Sequence, residues 1–466
     1  MALTVINIDT PTLGDRSYIA HDGESALVVD PQRDIDRVTS ILDREGVTLD
    51  TVVETHMHND YVSGGLVLAR EFGARYVTSA DDPVKFDRTP ARDLEEFQVG
   101  SFGIKAVKSP GHTFNHLAYI LMDGTSKPEG IFTGGSMLHG STGRPDLLGP
   151  DSAPILAKCQ HETVNRLVSL LDDSTPIYPT HGFGSFCAAT STSGESSTIA
   201  DEKRKNPALM MNLDRFVSVT LAGLDAFPAY YKYMGPANLS GPGAVDLSAL
   251  QRLSRDQVVR ALASGTYVVD LRNRDDWAAA HLPGTLNFGI NGSFATYFGW
   301  IFPYEKDVIL LSDRKEDIAL AQRELVRIGI DEPAGAYISG EFDSASSVRT
   351  VTFKDIPQVL KDQQVVVLDV RRNSERLASH IAGTIHIPFH ELQSRVSELP
   401  KDKEIFVHCA GAYRAAAAAG LLELAGLTPV IINESYERAL DVVGLEIVER
   451  DLDRGSAGLA NHEARV

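Results

Sequence analysis

Apolar positions in the first 235 residues fall in short runs closed by polar or turn residues. ALVVDP (26–31), LDTVVETH (49–56), ARYVTS (74–79), GIKAVKSP (103–110) and LAYILMDG (117–124) have the length and β-branched content of strands. Between two of them, RDIDRVTSILDREG (33–46) carries the 3.6-residue spacing of an amphipathic helix. Strands alternating with helices predict an α/β domain. MGPANLSGPGAVDL (234–247) is rich in Gly, Pro and small residues and is expected to be a linker. The aromatic cluster FPAYYKY (227–233) just before it is expected to be a packing element between domains.

The rest of the chain repeats itself. YVVDLRNRDDWAAAHLPGTLNF (267–288) aligns with VVLDVRRNSERLASHIAGTIHIPF (366–389), pairing Asp270 with Asp369, Arg272 with Arg371, His281 with His380 and Gly284 with Gly383 at an offset of 99. Each copy follows a short helical segment and precedes a further strand and helix. Two related α/β domains are therefore expected after the first, meeting near SGEFDSASSVRT (339–350). The expected bounds are 1–236, 247–342 and 352–452, consistent with a length of 466 residues.

Composition narrows the class. With 43% hydrophobic and 23% charged residues the chain can bury cores and is not disordered. A net charge of −19 argues against nucleic acid and anionic membrane as partners, because both need a basic footprint. No uncharged apolar stretch approaches the ~18 residues of a membrane span, and no signal-peptide pattern opens the sequence. Three cysteines, Cys159, Cys187 and Cys409, cannot build a disulfide framework, so reduced thiols in a cytoplasm are expected.

The first candidate chemistry is a metal site. THMHNDY (55–61) follows an apolar strand and offers His56, His58 and Asp60; PGHTFNH (110–116) adds His112; PTHGFGSFC (179–187) adds His181. Clusters at three strand ends, each beside Gly or Pro, are hard to explain as packing, and imidazole with carboxylate suits zinc or iron. His21, His139, His161 and His462 are expected to be ordinary core or surface histidines.

The order ALVVDP, THMHND, SPGHT, IFTGG, GRPDL, PTHG resembles the metallo-β-lactamase superfamily over 1–235, most of all its glyoxalase II and persulfide dioxygenase branch. The resemblance implies one Fe(II), or alternatively Zn, held by His56, His112 and a carboxylate at position 135. This chain departs from the pattern twice: Gly135 replaces that carboxylate, and Tyr61 replaces the histidine of a second metal. His58 or Asp60 could complete the set, Asp146 matches a non-ligand position, and an Asp placed at 135 is expected to tighten iron binding. By the same resemblance Cys187 lies near the metal and contacts substrate sulfur. Cys159 is expected to be a plain thiol.

The second candidate is a sulfur carrier. KEIFVHCAGAYRAAAAAGLLELAG (403–426) reads as strand, six-residue loop and Ala-rich helix, with Cys409 over the helix start. Unpaired backbone N–H groups there stabilise anions, so a thiolate or the persulfide made from it would be held by Ala410, Gly411, Ala412 and Tyr413. Arg414 closes the loop and is expected to contact an anionic donor. With LDVRRNSERLASHIAGTIHIP (368–388) upstream, the segment resembles a rhodanese sulfurtransferase. In the first copy Ser312 and Asp317 fall where Cys409 and Arg414 fall, so that copy is expected to be catalytically dead.

The whole resembles three-domain persulfide dioxygenase–rhodanese fusions: a metallo-β-lactamase-like αβ/βα sandwich followed by two rhodanese-like α/β domains. The resemblance implies oxidation of a low-molecular-weight persulfide to sulfite, sulfur transfer through Cys409, and small thiol persulfides, thiosulfate and sulfite as partners; a homo-oligomer is expected. Two alternatives stay open: a zinc-dependent thioester hydrolase fused to a sulfurtransferase, and a metal-poor persulfide-binding scaffold in which only Cys409 acts.

Overall fold

The computed structural model describes residues 3–192, 194–290, 293–338 and 346–449. His462 and most of the 339–350 boundary lie outside the described residues. The chain divides into one unit of 1–246 with 326–329 and a second of 247–325 with 330–466.

The first unit is built on two six-stranded sheets. One orders Thr4–Thr10, Asp15–His21, Ser25–Val29, Thr48–Val53, Arg75–Ser79 and Thr89–Ala91; the other orders Ser197–Thr198, Pro176–Pro179, Pro128–Gly134, Leu117–Met122, Phe102–Lys108 and Glu96–Val99. Side chains alternate across a strand, and the strand Ser25–Val29 divides accordingly. Leu27 and Val29 face a core shared with Phe97, Ile104, Tyr119 and Phe132 of the other sheet. Ala26 and Val28 face Val38 and Leu42 of the helix Asp36–Glu45 and Leu66 of the helix Gly65–Phe72. The second sheet buries its outer face against Leu167 of Ala153–Ser169 and Phe216 of Leu213–Gly223. Helix, sheet, sheet, helix is the expected αβ/βα sandwich. Strands buried on both faces explain why they read as unbroken apolar runs.

The second unit holds two parallel sheets. The first orders Leu286–Asn287, Tyr267–Asp270, Val308–Ser312 and Gly335–Ile338; the second orders Arg349–Val351, Thr428–Ile432, Glu404–His408, Val365–Asp369 and Ile385–His386. In each, the Asp of the Asp-x-Arg motif ends a central strand, and Ser312 or Cys409 lies at the C-terminal end of the parallel strand paired with it.

The linker reading of 234–247 is half corrected. Tyr231–Ser240 is helical despite Pro236 inside it. Buried Tyr231, Met234 and Asn238 hold it against the first unit, and Gly241 ends it with a positive φ of 86°. Tertiary burial offsets the lost hydrogen bond at proline. Among the described residues no helix is long and apolar enough to cross a membrane.

Candidate metal centre and cysteine loop

All the histidines nominated in the first unit lie at C-terminal strand ends, and the structure brings them together from both sheets. His56, His58 and Asp60 follow Thr48–Val53; His112 follows Phe102–Lys108; His181 follows Pro176–Pro179. All five are fully or almost fully buried. One ligand atom each from His56, His112 and His181 lies within 4.8 Å of the others. Two further groupings, His58–Asp60–His181 and Asp30–Glu54–His58, meet the same criterion.

Hydrogen bonds assign the tautomers of the first trio. His56 Nδ1 lies 2.9 Å from Thr55 Oγ1, which itself donates to Asp30 at 2.7 Å. His112 Nδ1 donates to the Arg144 carbonyl at 2.9 Å. His181 Nδ1 donates to Asp15 at 2.9 Å, with Asp60 at 3.2 Å. Each ring thus spends its Nδ1–H outward and turns Nε2 inward, the arrangement that orients metal-binding histidines. His56 Nε2 and His181 Nε2 stand 3.3 Å apart, and the buried His112 Nε2 has no hydrogen-bond partner. An orphaned buried acceptor beside two convergent nitrogens fits a borderline cation such as zinc or iron.

Electrostatics divide the trio. Burial, then the charges of neighbouring histidines, hold His56 well below its ordinary value; burial and the charge on His181 push His112 down to about 3. Burial also works against a charge on His181, but Asp60 and Asp15 outweigh it and raise that ring to about 10. In the metal-free molecule His181 therefore keeps a proton that bridges to His56. A cation bound there would displace it.

The remaining nominated residues fall behind the trio. His58 Nε2 faces Asp30 at 3.2 Å, Glu54 at 3.3 Å and the Tyr61 hydroxyl at 3.0 Å. Those acids outweigh burial and raise His58 to about 9. Asp146 is bound to Arg144 through two hydrogen bonds, 2.7 and 2.8 Å. Gly135 corrects one expectation. A Cβ there would drive into the His112 ring, and one at Gly143 would lie 2.7 Å from His112 Nδ1. The imidazole fills the space between the two glycines, so an Asp at 135 has no room without displacing His112 and is not expected to tighten metal binding.

Cys187 is fully buried, with Sγ 3.8 Å from the Tyr231 hydroxyl. Burial, then Asp60 and Asp15, push its thiol well above the usual range, so it is held neutral. Tyr231 brings the aromatic cluster 227–233 into the wall of this site, inside the first unit. Cys159 is half-buried on the helix Ala153–Ser169.

Sequence reasoning missed three supports. His116 donates to Ser109 and accepts the Gly135 N–H at 3.0 Å, while its ring stacks on His56 at 4.8 Å. Asp15 anchors His181 from 166 positions away. Asn238 accepts from Ser63 N–H at 2.8 Å and donates to the His58 and Tyr61 carbonyls, both at 2.9 Å, clamping the ligand loop. None carries a local pattern, although an Asn inside a Gly/Pro-rich helix was available as a hint.

In the second unit Cys409 follows Glu404–His408 directly and is 1% exposed. Ala412 takes a left-handed conformation, φ 67°, at the N-cap of the helix Tyr413–Leu424, turning the chain tightly around the cysteine. Arg414 is buried and paired twice with Glu375, both at 2.7 Å, so its guanidinium is already engaged. The Tyr413 hydroxyl donates to the Gly289 carbonyl at 3.0 Å, and Tyr436 N–H donates to the Ala410 carbonyl at 2.7 Å. In the other copy the Ser312 hydroxyl is bound to Asp317 at 3.1 Å and accepts from Arg314 N–H at 3.2 Å.

Fold and site together define a metallo-β-lactamase-fold unit joined to a rhodanese-like domain. A model of the metallo-beta-lactamase superfamily matches residues 13–145, and one of the rhodanese-like domain matches residues 352–438. Among similar proteins, human "Persulfide dioxygenase ETHE1, mitochondrial" is 27% identical over 236 residues, covering 50% of this chain and 80% of that protein. The hydroxyacylglutathione hydrolase of Brucella anthropi is 30% identical over 169 residues, covering 35% of this chain and 60% of that one. A solved metallo-beta-lactamase from Staphylococcus aureus subsp. aureus COL superposes with a TM-score of 0.65 at 26% identity, covering 73% of this chain and 100% of its own.

Proposed function

We propose that the chain is an enzyme of sulfur metabolism, a persulfide dioxygenase coupled to sulfur transfer at Cys409. The observation that carries this reading is the coexistence of three convergent imidazole nitrogens in one unit with a cysteine set at a strand end over a helix start in the other. Similarity to the human persulfide dioxygenase over half the chain supports it.

In the first domain, 1–236, a persulfide, dioxygen and water give the thiol and sulfite. Iron bound at the trio would supply the redox chemistry by which dioxygen reacts with a persulfide, whereas zinc there would supply only Lewis-acid activation. The chain's own groups position the reactants. Neutral Cys187 and Tyr231 present a soft, apolar wall to sulfur, and complete burial of the trio excludes bulk water. In the last domain, 352–452, the Cys409 sulfur attacks the outer sulfur of thiosulfate. An S–S bond forms to Cys409 as the donor's S–S bond breaks and sulfite leaves; an acceptor thiol then removes the outer sulfur. Glu375 fixes Arg414, which closes the loop as a positioning group. The middle domain, 247–342, carries no such step, because a hydroxyl cannot hold a persulfide.

Metal analysis of anaerobically purified protein, paired with oxygen uptake on glutathione persulfide, tests the reading. Stoichiometric metal with oxygen consumption is expected. Zinc with thioester hydrolysis and no uptake would favour the hydrolase, and a metal-free chain active only in sulfur transfer would favour the scaffold.

A further inference from the structure

Resting on the reading of the first domain as metal-dependent, we propose that its metal is bound by three histidines without a carboxylate: His56, His112 and His181. His181 takes the place of the acid expected at 135, and Asp15 and Asp60 supply the missing negative charge from behind it.

Steric room decides the first part. Position 135 has no side chain, and the His112 ring occupies the space one would need. The donor set must therefore be completed from elsewhere. His58 spends its Nε2 on Asp30, Glu54 and Tyr61, and it groups with Asp60 and His181 or with Asp30 and Glu54, not with His56 and His112. Asp60 lies on the Nδ1 side of His181, at 3.2 Å, and groups with His58 and His181 rather than with His56 and His112. Among the described residues it is His181 that brings a ring nitrogen into one group with those of His56 and His112, with centroids 5.2 Å from His56 and 5.3 Å from His112.

Charge decides the second part. An imidazole whose Nδ1–H faces a carboxylate is a stronger donor at Nε2. His181 faces two, both fully buried, where one would suffice to orient it. Two buried carboxylates set against the single positive charge that His181 can carry are costly. Moving the charge from the ligand set to this outer pair leaves three soft-to-borderline nitrogens facing inward, a set that selects zinc, iron or cobalt over magnesium and calcium.

The test is anaerobic titration of the metal-stripped full chain with Co(II) and Zn(II), reading stoichiometry, affinity and the visible Co(II) spectrum. The wild type should take one equivalent. His181→Ala should bind at least ~100-fold more weakly, and Asp15→Asn or Asp60→Asn ~10–100-fold more weakly while retaining one equivalent and the spectrum. Gly135→Asp should not tighten binding. Thermal melts of the stripped variants separate lost binding from lost folding; if His181→Ala does not fold, the two Asn variants carry the test. Unchanged affinity in the His181 and both Asn variants, or a gain of tenfold or more with Gly135→Asp, overturns the ligand assignment and leaves the metal-enzyme reading standing. No uptake by the wild type overturns both.

Discussion

The two copies of the repeat keep one scaffold and two different loops. In the first, Arg272 reaches Asp270 at 2.6 Å and the Ala280 carbonyl at 2.9 Å; in the second, Arg371 reaches Asp369 at 2.8 Å and the Ser379 carbonyl at 2.8 Å. His281 and His380 each hold Nδ1 against the carbonyl four positions earlier, at 2.8 and 3.2 Å. The loops then part. One wraps around Cys409 with a left-handed Ala412; the other ties Ser312 to Asp317 at the start of its helix. Shared Asp-x-Arg and histidine positions are thus framework, and the chemistry rests on a few loop residues. Fold alone does not transfer function from one copy to the other.

The largest expected effect breaks the comparison at the loop. Cys409→Ser should lower thiosulfate:cyanide sulfur transfer at least ~1,000-fold, while Ser312→Cys should add none, because Asp317 would still oppose an anion. Full activity in the first variant would sink the sulfur-transfer reading.

Next comes the framework itself. Asp270→Asn and Asp369→Asn should each cost about 3–5 kcal/mol by leaving a buried guanidinium without its carboxylate. Denaturant unfolding of the full chain should show the larger loss at Asp369. Burial pushes both carboxyls up; at Asp369 the hydrogen bond and charge of Arg371, with Arg376 3.3 Å away, outweigh it and hold the group below its usual range, whereas at Asp270 Arg272 does not. His408, pushed down to about 4 by burial, is neutral in this measurement. Equal losses would mean that the second copy gains nothing from Arg376.

How much of this was legible depended on distance along the chain. Strands, the repeat, the Cys409 loop and the trio histidines were legible because each sits in a local pattern: an apolar run, a constant offset, a histidine beside a Pro-Gly turn. The supports were not. Asp15 meets His181, and Asn238 meets His58 and Tyr61, only after the sandwich closes. Gly135 was visible as a missing carboxylate, but that His112 fills the space left is a packing fact. The helix Tyr231–Ser240 hid behind Gly and Pro, whose local cost tertiary burial overrides.

A smaller effect tests the loop's closing pair through pH. Burial raises Glu375, but Arg414 outweighs it and lowers the carboxyl from 4.5 to about 2. A depressed folded value means stability that is fully present above pH 4.5 and lost as pH falls through about 2. Acid unfolding followed by near-UV circular dichroism should therefore show a limb in that window for the wild type and a weaker one for Glu375→Gln. An identical limb in both would mean that the pair contributes no pH-dependent stability.

The smallest effect probes the matched glycines. Gly284 and Gly383 both have left-handed backbone, φ 92° and 78°, where an L side chain is strained. A Cβ at 383 meets nothing within 4 Å, and one at 284 meets Leu262 only at ordinary contact distance, 3.4 Å. Backbone strain is then the whole cost, and Gly→Ala at either site should lose about 1 kcal/mol, equal within error in thermal melts. Sulfur transfer should be unchanged in both, since neither glycine touches the loop that divides the copies. A drop in transfer for Gly383→Ala alone would show that framework and loop are coupled in the second copy, and the division between them would have to be redrawn.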